Sequence, residues 1–236
     1  MRDIIFEIRQ DLSGRVDEEY RIGANRYFRE TVNIMGIRTP EVRKIARMYY
    51  PIVSDLSKKE IFDLCEKLLS SKYFEEKTVG LDWLYRQRDS YKKTDFVKFK
   101  KWFTKYVSNW AHCDDFCAHS LGIFFGKYPS FLSEVTEDWT RSKNRWFRRA
   151  SAVSLIYVIR RGEELNMVFK VSDKLMNDED RLVLKGVGWL LREAWCRYPS
   201  DIYRYLVKNK DKLARVTLRY ATEKMKDDQR RELMKR

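Results

Sequence analysis

Apolar residues recur along this chain at the spacing of amphipathic α-helices. Residues 61–69 place them at i, i+3, i+4, i+7 and i+8, and Ser57 followed by Glu60 forms a capping box just before them. Residues 96–107 carry a second apolar face of the same kind. Only nine glycines and four prolines interrupt the 236 residues, which is too few turns for an all-β protein. The pattern therefore predicts an all-α fold.

Three segments of the chain resemble one another and carry a basic residue at the same position, namely Lys77, Arg149 and Lys185. Their separations are 149 − 77 = 72 and 185 − 149 = 36, which indicates a unit of about 36 residues. A basic residue followed by Tyr-Pro-Ser, at residues 127–130, also recurs at residues 197–200. A unit of this length holds two antiparallel helices, as in a helical repeat of the HEAT or TPR kind, and is slightly shorter than a typical HEAT unit.

A single unit of this kind cannot bury its own apolar face, so stacked units share a core and form a curved solenoid. We predict one domain of HEAT-like helical repeats over residues 1–236. Equivalent positions of a solenoid line one surface, so Lys77, Arg149 and Lys185 are expected to form a basic stripe on the concave face. A set of solvated side chains without a function would give the same pattern.

The charge balance points to a polyanionic partner. Lys and Arg number 49 against 35 Asp and Glu, which gives a net charge of +14 and an isoelectric point near 9.6. Nucleic acid is the leading candidate and an anionic membrane surface the lesser one. No run of eighteen apolar residues occurs, and the N-terminal residues have no apolar run of signal-peptide length. We therefore expect a soluble cytoplasmic protein, associated with the nucleoid and without a membrane span.

Tryptophans are interleaved with basic residues at nearly the repeat spacing. Residues 141–149 contain five positive charges, Arg148 among them, and Trp110, Trp146 and Trp189 follow the repeat. A tryptophan beside an arginine can pack on a sugar or base while the guanidinium binds a phosphate. The alternative is that these indoles are core residues, which applies most strongly to Trp146.

Asp114 and Asp115 lie in a segment, residues 109–119, that is otherwise without Lys, Arg or Glu. Trp110 and Asp114 are four residues apart, so they share one face of a helix. A carboxylate held beside an indole on a basic surface can stabilise developing positive charge. The structural alternative is an acid near a helix N-terminus or a cap between repeats.

The same segment contains His112, Cys113, Cys117 and His119. Their spacing matches no standard zinc motif, and only the two cysteines share a helix face, so we predict buried thiols, no metal and no cofactor. The sequence also lacks the GxxxxGK, GxSxG and HExxH motifs, so nucleotide hydrolysis, serine hydrolysis and zinc proteolysis are unsupported.

Five short stretches occur in the order, and at close to the spacing, that is typical of one known family. They are residues 27–30, 35–43, 110–114, 146–150 and 188–193. Through them the chain, over about residues 27 to 210, resembles the AlkD family of bacterial and archaeal DNA alkylation-repair glycosylases. The resemblance implies a solenoid of HEAT-like repeats that cradles duplex DNA. It also implies, as part of base excision repair, hydrolysis of the N-glycosidic bond of N3- and N7-alkylated purines.

The resemblance also implies roles for individual residues. The family's catalytic carboxylate corresponds to Asp114, and its two indoles facing the deoxyribose of the lesion correspond to Trp110 and Trp189. Its DNA-contacting arginine corresponds to Arg149 and its N-terminal tyrosine to Tyr27. With Arg148, Lys185 and Lys77 as further DNA-binding residues, we expect a monomer that acts on double-stranded DNA containing alkylated purines.

One position departs from the family pattern. The family often has an acid directly after the first tryptophan, and this chain has Ala111 there, which puts a secondary contact in doubt but leaves Asp114 in place. Some relatives with this fold bind DNA without excising a base. A non-catalytic DNA-binding protein and a helical-repeat adaptor for protein partners therefore stand as the alternatives.

Overall fold

The computed structural model describes residues 3–235, and the regular elements within this range are helical. The prediction of an all-α fold is confirmed. Among these residues, no helix combines the length and the apolar character that a membrane span needs. The chain forms two compact units, one ending at His112 and the other beginning at Cys113. A single domain over residues 1–236 stays a prediction.

The first unit is built from pairs of helices. These are α1 (Ile4–Ser13), α2 (Glu18–Asn25), α3 (Thr39–Val53), α4 (Lys58–Leu69), α5 (Phe74–Arg86) and α6 (Asp95–Tyr106), followed by α7 (Trp110–Asp115), which reaches into the second unit. Helix α5 packs against both α3 and α4, and α6 packs against α4. The predicted capping box of Ser57 and Glu60 is confirmed at the start of α4.

The second unit repeats this pairing. Its helices are α8 (Gly122–Lys127), α9 (Leu132–Glu137), α10 (Arg145–Val153), α11 (Leu155–Arg160), α12 (Leu165–Leu175), α13 (Arg181–Trp195), α14 (Pro199–Asn209), α15 (Arg215–Ala221) and α16 (Asp227–Met234). Helix α13 packs against α10 and α15, and it also contacts α12 and α14. Helices α10, α13 and α15 are the second members of successive pairs, so the contacts are those of stacked helical repeats.

The positions that define the repeat fall near the starts of these second helices. Lys77 is the fourth residue of α5, and Arg149 and Lys185 are the fifth residues of α10 and α13. The recurring Tyr-Pro-Ser motif adopts one conformation twice. Tyr128 has φ −133° and ψ 72°, and Tyr198 has φ −132° and ψ 62°. Both precede the proline that begins a helical turn.

A small residue follows each repeat position by three, namely Gly80, Ala152 and Gly188. A Cβ at Gly188 would lie 2.5 Å from the Cβ of Tyr220 and 2.7 Å from the carbonyl oxygen of Thr217. Helices α13 and α15 therefore approach so closely that only glycine fits at this position.

Candidate active site

Asp114 is held by two parallel hydrogen bonds from Arg149. Its Oδ1 accepts from Nε at 2.7 Å and its Oδ2 accepts from Nη2 at 2.6 Å, while Nη1 donates to the carbonyl oxygen of Leu182. The two side chains are only 16% and 7% exposed. Helices α7 and α10 supply the pair, and the first turn of α13 supplies the carbonyl group. A two-point contact of this kind fixes the orientation of the carboxylate.

Burial raises the pKa of Asp114, and the charge of Arg149 opposes that rise. For Arg149, burial alone would lower the pKa, but the carboxylate of Asp114 outweighs it and raises the pKa above its usual value. The guanidinium therefore stays charged, and it favours the ionised form of the neighbouring carboxylate. The pair is therefore an ionised, oriented carboxylate beside its counter-charge, in a largely dry environment.

The buried position of Arg149 differs from the exposed stripe that the repeat pattern suggested. The reason is the close packing of α10 on α13, where a Cβ at Gly186 would lie 3.4 Å from the Cγ of Arg149. A buried guanidinium needs a counter-charge, and Asp114 supplies it. Asp114 precedes Arg149 by 35 residues, close to one repeat, so the repeat spacing itself could have indicated this pairing.

Arg148 also has intramolecular partners. Its Nε and Nη2 donate to the two carboxylate oxygens of Asp178 at 2.6 and 3.2 Å, and Nη1 donates to the carbonyl oxygen of Ser142. Lys185 is half-buried, with Nζ 5.7 Å from the centre of the Tyr220 ring. In the second unit, the cations predicted to bind DNA are thus held in place by neighbouring groups.

Lys77, in the first unit, is half-buried as well. Its Nζ donates to the carbonyl oxygen of Tyr106 at 3.1 Å, and burial lowers its pKa. A phosphate contact by Lys77 stays a prediction.

Trp110 begins α7, the same helix that carries Asp114, as their spacing predicted. Its indole stacks on Phe28 with ring centres 5.6 Å apart, and its Nε1 donates to the carbonyl oxygen of Tyr27 at 3.3 Å. The side chain of Tyr27 is 75% exposed. These aromatic groups border a cleft of about 290 Å³, whose other walls include Tyr20, Ile37, Thr39 and Phe74.

The other two tryptophans of the repeat have different environments. Trp189 is half-buried in α13, and its Nε1 has no hydrogen-bond partner among residues 3–235. Trp146 is buried, and the Cζ of Arg145 lies 4.4 Å from the centre of its ring. Trp146 is therefore a core residue, the alternative considered for it from the sequence.

A π-helical segment, Phe116–Leu121, follows Asp114 and Asp115 and leads into α8. Such segments are rare and frequently lie at functional sites.

The two cysteines near the π-helical segment are buried. The thiol of Cys113 contacts the carbonyl oxygen of Trp146 at 3.7 Å, and burial raises the pKa of Cys117. Both thiols are buried, and residues 3–235 contain no group of three or more His, Cys, Asp or Glu side chains that could hold a metal ion.

A buried histidine network supports the first turn of α7, and sequence reasoning missed it. The ring of His112 stacks on Phe74 with centres 4.2 Å apart, and its Nε2 lies 3.1 Å from the carbonyl oxygen of the same residue. Asn109 accepts from the backbone N–H of His112 at 2.9 Å and contacts Nδ1 at 3.1 Å. Burial lowers the pKa of His112 to about 3, so the ring is neutral.

The carboxylate of Glu75 was also missed from the sequence. This fully buried group accepts from the backbone N–H groups of Met35, Gly36 and Ile37, at 2.9, 2.9 and 3.2 Å. Gly36 has φ +108°, a conformation that other residues rarely adopt. One side chain thereby fixes the loop that forms part of the family motif at residues 35–43.

Comparison with known proteins bears on the whole chain. A family model described as "DNA alkylation repair enzyme" matches residues 8–225. A solved structure named as a predicted DNA alkylation repair enzyme from Enterococcus faecalis superposes with a TM-score of 0.79 at 15% identity, covering 90% of this chain and 98% of that chain. At this identity the structural likeness shows the fold alone. No curated protein gives a sequence match. Because the family model matches nearly the whole chain, the protein belongs to the DNA alkylation repair enzyme family.

Proposed function

We propose that the protein is a DNA glycosylase that hydrolyses the N-glycosidic bond of N3- and N7-alkylated purines in duplex DNA. The observation that carries the proposal is the buried pair of Asp114 and Arg149, which presents an oriented carboxylate. Membership of the DNA alkylation repair family and the net charge of +14 support DNA as the partner.

The proposed reaction needs no general acid from the protein. An alkyl group on N3 or N7 gives the purine a positive charge, so the base leaves as a neutral molecule without protonation. The bond between C1′ and the base nitrogen breaks with its electron pair going to the base, and C1′ becomes positively charged. The carboxylate of Asp114 stabilises that charge and orients a water molecule, whose oxygen then bonds to C1′. The water loses one proton to solvent.

Aromatic groups complete the proposed site. The π-faces of Trp110 and Trp189 attract the positive charge of the sugar, each contributing about 0.5–2 kcal/mol. The exposed ring of Tyr27 contacts the DNA beside the lesion. Because the sugar is stabilised without the base being enclosed, a bulky substituent on the base should be tolerated.

Arg149, which is hydrogen-bonded to Asp114, positions that carboxylate. This role is in addition to the DNA contact that the family resemblance implies. Arg148, Lys185 and Lys77 contact phosphates, and such contacts are indifferent to sequence. In this proposal the protein acts as a monomer on chromosomal DNA, in the cytoplasm and associated with the nucleoid.

The test is base release from duplexes that each carry one defined lesion, measured under single-turnover conditions. We expect release of 7-methylguanine, 3-methyladenine and bulky N7 adducts. Hypoxanthine, ethenoadenine and uracil should stay attached to their deoxyribose, because their departure requires protonation and the proposed site supplies no general acid. Efficient release of uracil or hypoxanthine, or rejection of every bulky N7 adduct, would contradict this mechanism.

A non-catalytic DNA-binding protein is the second candidate. The observation that favours it is that both oxygens of Asp114 are already engaged by Arg149. The same assay decides between the two, since a protein that only binds DNA releases no base from any of these duplexes.

A further inference from the structure

Helices α15 and α16 enclose a cleft with an unusual lining. It has a volume of about 420 Å³, and its walls are Arg219, Arg230, Arg231, Asp227 and Met234. All three arginines are exposed to solvent. Three positive charges therefore face a single carboxylate in one concave surface.

These arginines differ from several others of the second unit in how their charge is satisfied. Arg148, Arg149 and Arg160 each form an ion pair with a carboxylate. By contrast, Arg219 and Arg230 make no ion pair with any carboxylate of residues 3–235.

The third arginine of the cleft is only partly engaged. Arg231 uses its Nε to donate to the backbone carbonyl oxygen of Asp227 at 3.2 Å. Its other nitrogens stay available, so it adds further donors to the same surface.

The nearby acids are occupied elsewhere. Glu232 accepts a hydrogen bond from the hydroxyl group of Tyr203 at 2.6 Å, and Glu223 pairs with Arg192 of α13. These two acids, which are close in sequence to the arginines of the cleft, thus serve other contacts. The excess positive charge is a property of the fold in this region as well as of its composition.

We propose that Arg219, Arg230 and Arg231 form a binding site for the phosphodiester groups of duplex DNA. Guanidinium groups present planar, paired donors that match phosphate oxygens, and an open cleft admits a ridge such as a DNA backbone. This inference rests on the proposed action on DNA. None of the residues assigned to catalysis contributes to the site, so it would hold the duplex without touching the lesion.

The test compares two variants that each lose two charges. The first, Arg219→Gln with Arg230→Gln, removes two of the three cations of the cleft. The control, Arg204→Gln with Lys208→Gln, removes two exposed cations of α14 in the same unit. Duplex affinity is measured by fluorescence anisotropy over a range of KCl concentrations, and circular dichroism verifies that both variants fold.

We expect the slope of log affinity against log salt to flatten by about one to two units for the cleft variant, at about 0.9 for each phosphate that is no longer neutralised. The control should change it by less than about half a unit. A third variant, Arg219→Lys with Arg230→Lys, keeps the charge and should keep most of the slope. Equal slopes for the cleft variant and the wild type, or equal flattening in cleft and control variants, would overturn the inference.

Base release by the wild-type protein is measured in parallel, so that the two proposals fail separately. If the wild type releases methylated bases and the cleft variant keeps the wild-type slope, only the phosphate site is wrong. If the wild type releases no base and the slope of the cleft variant flattens, the phosphate site stands and the glycosylase assignment falls.

Discussion

Among single residues, the pair of Asp114 and Arg149 affects both the stability of the fold and the proposed reaction. A buried ion pair costs desolvation energy, and replacing it with apolar groups is often neutral or stabilising. Arg149 offsets that cost for Asp114, and the orientation it imposes on the carboxylate is what the proposed reaction needs.

The first prediction concerns the charge of Asp114. Asp114→Asn keeps the size and one acceptor but removes the negative charge, so base excision should slow by about 100-fold or more. DNA affinity should hold or rise, because a repelling anion is removed. Single-turnover release and anisotropy measure the two effects.

The matched control is Asp115→Asn, whose side chain points about 100° away around the helix. It should leave excision close to the wild-type rate. Thermal unfolding is measured for both variants, because Arg149 loses its counter-charge in Asp114→Asn and the fold could be destabilised. Equal reductions in rate for the two variants, or a reduction explained by unfolding, would return Asp114 to a structural role.

The second prediction concerns pH. Excision requires the ionised carboxylate, and burial raises the pKa of Asp114 above the ordinary value of 3.8. The rate should therefore decline as pH falls through a value higher than 3.8, and the residual activity of Asp114→Asn should lack this decline. A pH series of single-turnover rates tests it. An acidic inflection at or below 3.8 would show that another group controls the rate.

The third prediction concerns the stability supplied by neutral His112. Its pKa is about 3 in the folded protein against 6.5 in the unfolded chain, so below pH 6.5 the unfolded state binds the extra proton and the folded state is penalised. The penalty is about 1.4 kcal/mol per pH unit between these values, or about 2 kcal/mol at pH 5. Urea unfolding at pH 7.5 and 5 measures it.

His112→Gln should remove that part of the pH dependence, although it also lowers stability at pH 7.5 because the stacking on Phe74 is absent. The chain has a second histidine, the more exposed His119, which serves as the control. His119→Gln should keep the wild-type pH dependence. If His112→Gln keeps it too, the ring is not the source of acid sensitivity.

At the scale of helices, close packing at the small residues of the repeat gives a fourth prediction. Gly188→Ala should lower the free energy of unfolding by about 1–3 kcal/mol, because its Cβ would meet backbone and Cβ atoms of α15 that cannot move independently. Gly23→Ala in α2 meets nothing within 4 Å and should be neutral or stabilising by up to about 1 kcal/mol. Chemical denaturation compares them, and equal effects would contradict the packing argument.

The helices were predictable because the signals that make them are local. Apolar periodicity, the capping box at Ser57 and the repeat of basic positions all act within a few residues or at a fixed spacing. The contacts of Glu75 and His112 were not predictable, since they join residues about 40 apart in the sequence that meet only after packing. The burial of Arg149 was not predicted either, because it depends on the close packing of α10 on α13.

At the scale of the whole molecule, the net charge of +14 gives the fifth prediction. Duplex affinity should fall linearly on a log–log plot against salt, with a slope near −0.9 for each phosphate neutralised and several phosphates involved. Only cations that face the duplex neutralise phosphates, so the slope should correspond to fewer phosphates than the net charge. Titrations of undamaged duplex measure it, and a slope near zero would favour the adaptor for protein partners.

The π-helical segment after Asp115 has a consequence for comparison between relatives. A π turn holds about one residue more than an α turn, so it absorbs a single-residue insertion without rotating the helix on either side. A relative that lacks the extra residue of the π turn can therefore orient the carboxylate equivalent to Asp114 in the same way. Its residue numbers after the π turn would then differ by one. Alignments of this family should accordingly place a one-residue gap within Phe116–Leu121 and hold Asp114 and α8 fixed on its two sides.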